Sequence, residues 1–251
     1  MLLATPEARP RPSVPLRAGL VCALLAGVLL ALVAARWGPL MSLDRSVAEG
    51  LHRRAVADPG LTHVNRILTD WVWDPWAMRA LLAVAVAVLL WRGERLLALW
   101  VAATSALGTA VQQGLKAAVG RDRPRWPDPV DSAGYAAFPS GHAIGVTVAF
   151  GLLVWLLALH GAGRRPRLAV LVVGVVSALG VGFTRLFLGV HWFSDVVGGW
   201  LIAVAVVTLS AAAHRRLALN RRARAREDHG HDDQGRSLRL LRHPLSRRAG
   251  R

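Results

Sequence analysis

Six runs of about 18 to 22 mostly apolar residues, each long enough to cross ~30 Å of hydrocarbon as a helix, constrain this chain more than any other feature. They cover roughly 18–36, 72–91, 96–114, 143–160, 167–188 and 196–213. Charged residues are scarce inside them, as insertion into lipid demands. Asp74 and Arg79, near the start of the second run, are the main exceptions. Lipid offers the backbone no hydrogen-bond partners, so separate runs of this kind must be helices. The sequence therefore predicts an all-α integral membrane bundle of about six transmembrane helices. A chain with 54% hydrophobic residues is too apolar for an ordinary soluble domain of this length.

The formal net charge of +16 raises nucleic acid as a partner, but the placement of the basic residues argues for a membrane. Arg9, Arg11 and Arg17 precede the first span; Arg92 and Arg95 lie between the second and third. Arg164, Arg165 and Arg167 lie between the fourth and fifth, and twelve more arginines follow the sixth. These four regions hold 20 of the 31 basic residues and fall on one side of a six-span layout. Basic loops stay in the cytoplasm. Both termini are thus expected to be cytoplasmic, in a multi-pass protein of the cell membrane with membrane lipids, not nucleic acid, as its partners.

Three segments follow. Residues 1–17 are a basic cytoplasmic arm with four prolines, and 18–213 form the six-span domain. Residues 214–251 are Arg-rich and poor in large apolar groups, a composition that predicts a disordered tail drawn to anionic headgroups. His229, His231, Asp232 and Asp233 in that tail resemble metal ligands, but an unstructured segment rarely holds a site. The first span has the basic start and small residues of a cleaved signal peptide. Its apolar stretch is longer than a signal core, which favours a retained helix. Residues 37–71 have room for one or two interfacial helices. Trp71, Trp73 and Trp76 at their end read as a headgroup belt in preference to a ligand-stacking surface.

Three polar clusters sit at span ends, all on the outer side of this layout although the layout does not depend on them. The first runs from Lys116, the only lysine, to Arg123-Pro124. The second is Pro139-Ser140-Gly141-His142. The third holds Thr184-Arg185, His191 and Asp195. Hydrolysis of a phosphate ester needs a nucleophile, an acid for the leaving oxygen, and positive charge around the phosphoryl oxygens. His191 and Asp195 are four residues apart and share a face if the sixth span begins there. Asp195 could then hold Nδ1 of His191 and leave Nε2 free to attack. Ser140 and Gly141 before the fourth span make a helix start whose amides favour anions, with His142 placed to protonate a leaving oxygen. Lys116, Arg123 and Arg185 supply charge. Taken singly, each piece has a plainer reading: a capped helix, a dipole-stabilised aspartate, or interfacial cations that snorkel. Arg121, Asp122 and Arg125 read as solvated loop residues or as partners behind the site. The outer side carries no cluster with metal-ligand spacing, so neither metal nor other cofactor is expected.

Together the clusters resemble the type 2 phosphatidic acid phosphatase superfamily, whose pattern is Lys-x6-Arg-Pro, Pro-Ser-Gly-His and Ser-Arg-x5-His-x3-Asp. Only Thr184, in place of Ser, departs from it, and Thr keeps the hydroxyl. The resemblance implies a membrane lipid phosphatase working through a phosphohistidine on His191. His142 would act as acid and then base, and Asp195 would orient His191. Lys116, Arg123, Arg185 and the Ser140–Gly141 backbone would hold the phosphoryl oxygens. It implies a lipid phosphate or diphosphate as substrate: polyprenyl (undecaprenyl) diphosphate, phosphatidic acid or phosphatidylglycerol phosphate. The active site would be extracytoplasmic. A phosphotransferase shares this chemistry. A non-enzymatic lipid transporter or scaffold accounts for the basic rim but not for two histidines with an aspartate partner.

Overall fold

The structure, a computed structural model, describes residues 14–241, with side chains as far as Arg221. Most of the arm 1–17 lies outside the described residues, as do the side chains of His229, His231, Asp232 and Asp233.

Every regular element among the described residues is helical: α1 (Val14–Ala34), α2 (Gly38–Ala57), α3 (Pro59–Ile67), α4 (Pro75–Trp91), α5 (Arg95–Val119), α6 (Gly141–Leu159), α7 (Arg164–Phe187) and α8 (Phe193–Leu241). A π-helical turn, Leu68–Val72, links α3 to α4. Six stretches are long and apolar enough to cross a membrane, and they match the six expected spans. The second, Pro59–Trp91, is longer than the sequence suggests because α3 and the π turn lead directly into α4. The loop 37–71 does contain two helices, α2 and α3.

Local chemistry sets the helix starts. Asp74, a charge that interrupts the second apolar run, is the N-cap of α4. Its carboxylate accepts the Trp76 and Ala77 amides, and Pro75 holds the first helical position. Asp58 caps α3 in the same way, accepting the Leu61 amide at 2.9 Å ahead of Pro59. Gly120 ends α5 in the left-handed region (φ 57°), a conformation that favours glycine, and turns the chain into the loop that carries Arg121 and Arg123.

α6 is the central helix. It is apolar on all sides, buries Ala143, Ile144, Val146, Val148, Ala149, Leu152 and Leu156, and packs on α4, α5 and α7. Large apolar side chains such as Leu20, Val84, Leu96, Leu171 and Val176 remain exposed, as spans in contact with lipid require. Helices in lipid associate by close packing of small residues. Gly199 of α8 is one such point: a Cβ there would lie 2.9 Å from the Ser140 carbonyl oxygen and from the Ala143 Cβ. α2 packs on α3 and α7 and buries one stripe, Asp44, Ala48, His52 and Ala55. Two of those four side chains are polar, which foreshadows a role beyond packing.

The chain divides into two units, 1–210 and 211–251. Within the second, the backbone is helical through Leu241, where composition predicts a disordered tail over 214–251. Ala, Leu and Arg are abundant there, and all three are strong helix formers. Low hydrophobicity signals the lack of a packed core, but it does not oppose a continuing helix.

Candidate active site

The three clusters meet at one end of the bundle. Lys116 comes from the last turn of α5, Ser140, Gly141 and His142 from the start of α6, Arg185 from the last turn of α7, and His191 and Asp195 from the start of α8. Backbone bonds stitch these starts together, with the Ser140 amide donating to the Asp195 carbonyl at 3.0 Å.

His191 is 2% exposed, and its two nitrogens face opposite chemistries. Nδ1 lies 3.3 Å from Asp195 Oδ2, and Nε2 lies 3.2 Å from Arg123 Nη1. A guanidinium only donates, so Nε2 must present its lone pair and Nδ1 must carry the proton. That is the tautomer a nucleophilic Nε2 requires. The His191–Asp195 contact does not come from stacking along one helix face. His191 precedes α8, Trp192 is the N-cap, and Asp195 reaches back to accept the Trp192 amide at 2.9 Å. This is the acidic half of a capping box, and the same carboxylate oxygen also takes His191.

The cations cluster around the imidazole. Arg123 Nη1 also donates to the Val190 carbonyl at 2.6 Å, and its Nε and Nη2 donate to the Tyr135 and Gly134 carbonyls at 2.9 and 3.0 Å. Lys116 Nζ donates to the Ala136 carbonyl at 2.5 Å. Arg185 is buried, lies 3.6 Å from Asp131 Oδ2, and donates to Thr69 Oγ1 at 3.3 Å. His142 is within electrostatic reach of Arg185, His191, Arg123 and Lys116. Two buried polar atoms here have no hydrogen-bond partner, Arg185 Nε and Ser140 Oγ. Buried groups of this kind ordinarily find partners, so both point to a ligand. Burial, followed by the nearby Arg185 charge, pulls Arg123 below its ordinary pKa. A bound anion would relieve that crowding of like charges.

Burial, and then the charges of Arg123, Arg185 and Lys116, hold the His191 imidazole well below its usual pKa. The unfolded chain therefore takes up the His191 proton first as pH falls. Stability is lost from about pH 6.5 down towards the folded value. The melting temperature of the purified protein is expected to drop between pH 7 and pH 5, and to drop less in His191→Asn. Equal slopes for the two proteins would contradict the neutral, buried His191.

Sequence reasoning left Arg121 among the solvated loop residues or those behind the site. The structure largely encloses it, with 11% of its side chain exposed: Nη1 donates to Asp195 Oδ1 at 2.6 Å and to Ser194 Oγ at 2.7 Å, and Nη2 donates to Asp44 Oδ2 at 2.6 Å. The available signal was period two, since in extended chain Arg121 and Arg123 face one side while Asp122 faces the other. Asp122 is indeed exposed, and it pairs at 3.1 Å with Arg125, which is also exposed although alternation alone would place it with Arg121. Asp44 carried no sequence signal.

A family model of the PAP2 superfamily matches residues 97–218, the stretch that holds every predicted site residue. That stretch is similar to the PAP2 superfamily. Among curated relatives, phosphatidylglycerophosphatase B of Bacillus subtilis (strain 168) is 29% identical over 97 residues, which is 38% of this chain and 47% of the relative. Undecaprenyl-diphosphatase of Sulfolobus acidocaldarius is 33% identical over 84 residues, 34% of each chain. The alignments thus span less than half the length of these curated relatives. The fold is similar to the crystal structure of the first transmembrane PAP2 type phosphatidylglycerolphosphate phosphatase from Bacillus subtilis. That match has a TM-score of 0.70 and 20% identity, and covers 79% of this chain and 96% of the other.

Proposed function

We propose that this chain is an integral membrane phosphatase that hydrolyses a lipid phosphate or diphosphate through a phosphohistidine on His191. The observation that carries the reading is a buried imidazole with Nε2 facing Arg123, the charges of Arg185 and Lys116 nearby, and its other nitrogen held by a carboxylate. His191 Nε2 attacks phosphorus, and the bond to the leaving oxygen breaks as His142 gives that oxygen a proton. Neutral His142 then takes a proton from water, the water oxygen bonds to phosphorus, and the P–Nε2 bond breaks. Phosphate leaves, and both histidines return to their starting states. Lys116, Arg123, Arg185 and the Ser140–Gly141 backbone hold the phosphoryl oxygens throughout, and Asp195 stabilises the charge that develops on His191.

A lipid substrate is favoured by the position of the site at the ends of membrane-spanning helices. An apolar groove of 740 Å³ between α4 and α5, lined by Leu82, Val86, Ala102 and Ala106 among others, offers a tail a surface at membrane depth. Hydrolysis is favoured over phosphotransfer by an open cleft of 530 Å³ bordered by Arg123, Asp131, Tyr135 and Val190, which gives water a route to the site. Both termini and the basic loops belong on the cytoplasmic side of the cell membrane in this reading, with the site on the outer face. The names of the relatives make phosphatidylglycerol phosphate and undecaprenyl diphosphate the first substrates to test, with phosphatidic acid beside them.

The test is phosphate release by the detergent-purified chain from these three lipids, with and without a strong chelator. Among the described residues no three His, Cys, Asp or Glu side chains form a group able to hold a metal ion. Release is therefore expected to be unchanged by the chelator. Loss of release, restored by a divalent cation, would overturn the metal-free mechanism. Transfer of phosphate to a lipid or sugar acceptor, without free phosphate, would favour a phosphotransferase.

A further inference from the structure

Asp195 orients the proposed nucleophile, and Asp195 is itself held by a chain of charges that begins far away in sequence, at a buried carboxylate. Asp44 of α2 is 1% exposed. Its Oδ2 accepts from Arg121 Nη2 at 2.6 Å and from Ser194 Oγ at 2.6 Å, and its Oδ1 accepts from the Ser194 amide at 2.8 Å. Arg121 Nη1 in turn donates to Asp195 Oδ1, which leaves Oδ2 for His191 and the Trp192 amide. Three elements, α2, the α5–α6 loop and α8, thus contribute one carboxylate–guanidinium–carboxylate relay that ends on the imidazole.

We propose that Asp44 is a positioning residue for phosphoryl transfer: through Arg121 it fixes the Asp195 carboxylate against His191 and balances the guanidinium charge beside it. The inference rests on His191 as the nucleophile. Arginine keeps its charge in proteins, so this largely enclosed guanidinium needs more than one carboxylate if Asp195 is also to serve His191. With Asp44 neutralised, Asp195 becomes the only counter-ion that Arg121 contacts among the described residues. The hold on Nδ1–H then weakens, and so does the stabilisation of positive charge on His191 when Nε2 bonds to phosphorus. None of the cations assigned to the phosphate belongs to this relay, so substrate binding is left in place. Asp44 also serves as a distant cap for α8 through the Ser194 amide, and the experiment must separate that fastening from the electrostatic role.

The experiment compares the full chain in detergent with Asp44→Asn, Arg121→Met and the double variant, in kinetics and in 15N-histidine NMR. The His191 signal is assigned by its absence in His191→Asn. Asp44→Asn is expected to lower kcat about 10- to 100-fold with KM within about twofold, and to move the Nδ1 resonance of His191 away from its protonated position. The double variant is expected to be more active than Arg121→Met alone, because removing both charges restores the balance that removing one upsets. Losses that add across the two sites, or a rise in KM with kcat unchanged, would reduce Asp44 to a fastening for α2 and α8. An unmoved His191 resonance in Asp44→Asn would overturn the proposal outright. Absence of phosphate release from the wild-type chain would sink the phosphatase reading instead, while the resonance still reports whether Asp44 acts on His191.

Discussion

His191→Ala is expected to lower phosphate release by a factor of about 10⁴ or more, because it removes the atom to which phosphorus must bond. The neighbouring cations remain, so the variant should still bind the lipid phosphate and compete for it in a binding assay. That split separates a nucleophile from a scaffold residue. His191 is fully enclosed, and its loss leaves a cavity, so a second variant guards against misfolding. His191→Gln fills the space and can still accept from Arg123, yet offers no nucleophilic nitrogen. Both variants should be inactive while Gln melts close to the wild type. Turnover within about tenfold of the wild type in a folded variant would remove His191 from the chemistry, since removal of a true nucleophile costs far more than that. Rapid-quench labelling with a ³²P-lipid should give an acid-labile, alkali-stable phosphoprotein in the wild type and none in either variant.

His142→Ala carries the second large effect. Loss of a positioned acid costs about 10² to 10⁴ in rate when the leaving oxygen is an alkoxide. A lipid alcohol is a poor leaving group, so the full penalty should appear with phosphatidic acid. A nitrophenyl phosphate releases a stable phenolate that needs no proton, so with that ester the penalty on the first step, read as the rate of phosphohistidine formation, should shrink to about tenfold or less, while the water step keeps its penalty with either ester. The ratio of the two first-step penalties is the readout. Equal first-step losses on both esters would place His142 among the groups that merely bind. Phosphatidylglycerol phosphate tests the same point from the alkoxide side, and a diphosphate, whose leaving group is a phosphate, should fall between the extremes.

Much of this architecture was legible because lipid imposes strict rules. Runs of the right length, arginines on alternate loops and tryptophans at one boundary leave few arrangements open. The site residues were legible for a related reason: polar groups at the ends of apolar helices need partners, and the six-span layout puts those ends together. His191 and Asp195 illustrate both the success and its limit. Their spacing predicted the contact, but the contact arises from a capping box before α8, not from two residues on one helical turn. Asp74 shows a similar lesson. It weakened the second span as a sequence, yet it is the cap that starts α4.

Asp44 was not legible, because its partner Arg121 lies 77 residues away and nothing in α2 marks one carboxylate above another. Long-range pairing of this sort depends on tertiary packing that composition does not encode. The tail carries two separate signals. Its charge, read as disorder over 214–251, speaks to the lack of a core, while Ala, Leu and Arg speak to the local helix described as far as Leu241. Arg121 lay between these cases, since alternation in the loop separated it from Asp122 once the chain was taken as extended, though not from Arg125.

The buried carboxylate on α2 also sets where the smallest working unit of this protein ends. The stretch matched by the family model, 97–218, contains the histidines, the cations and Asp195, and would look self-sufficient to anyone designing a minimal enzyme. Cut there, it would retain Arg121 without Asp44. A redesign that keeps only the four last spans must therefore supply a new carboxylate near Ser194 or replace Arg121 with a neutral residue. The same requirement predicts paired change in divergent members of the family: where an acid at the Asp44 position is lost, the arginine should be lost with it.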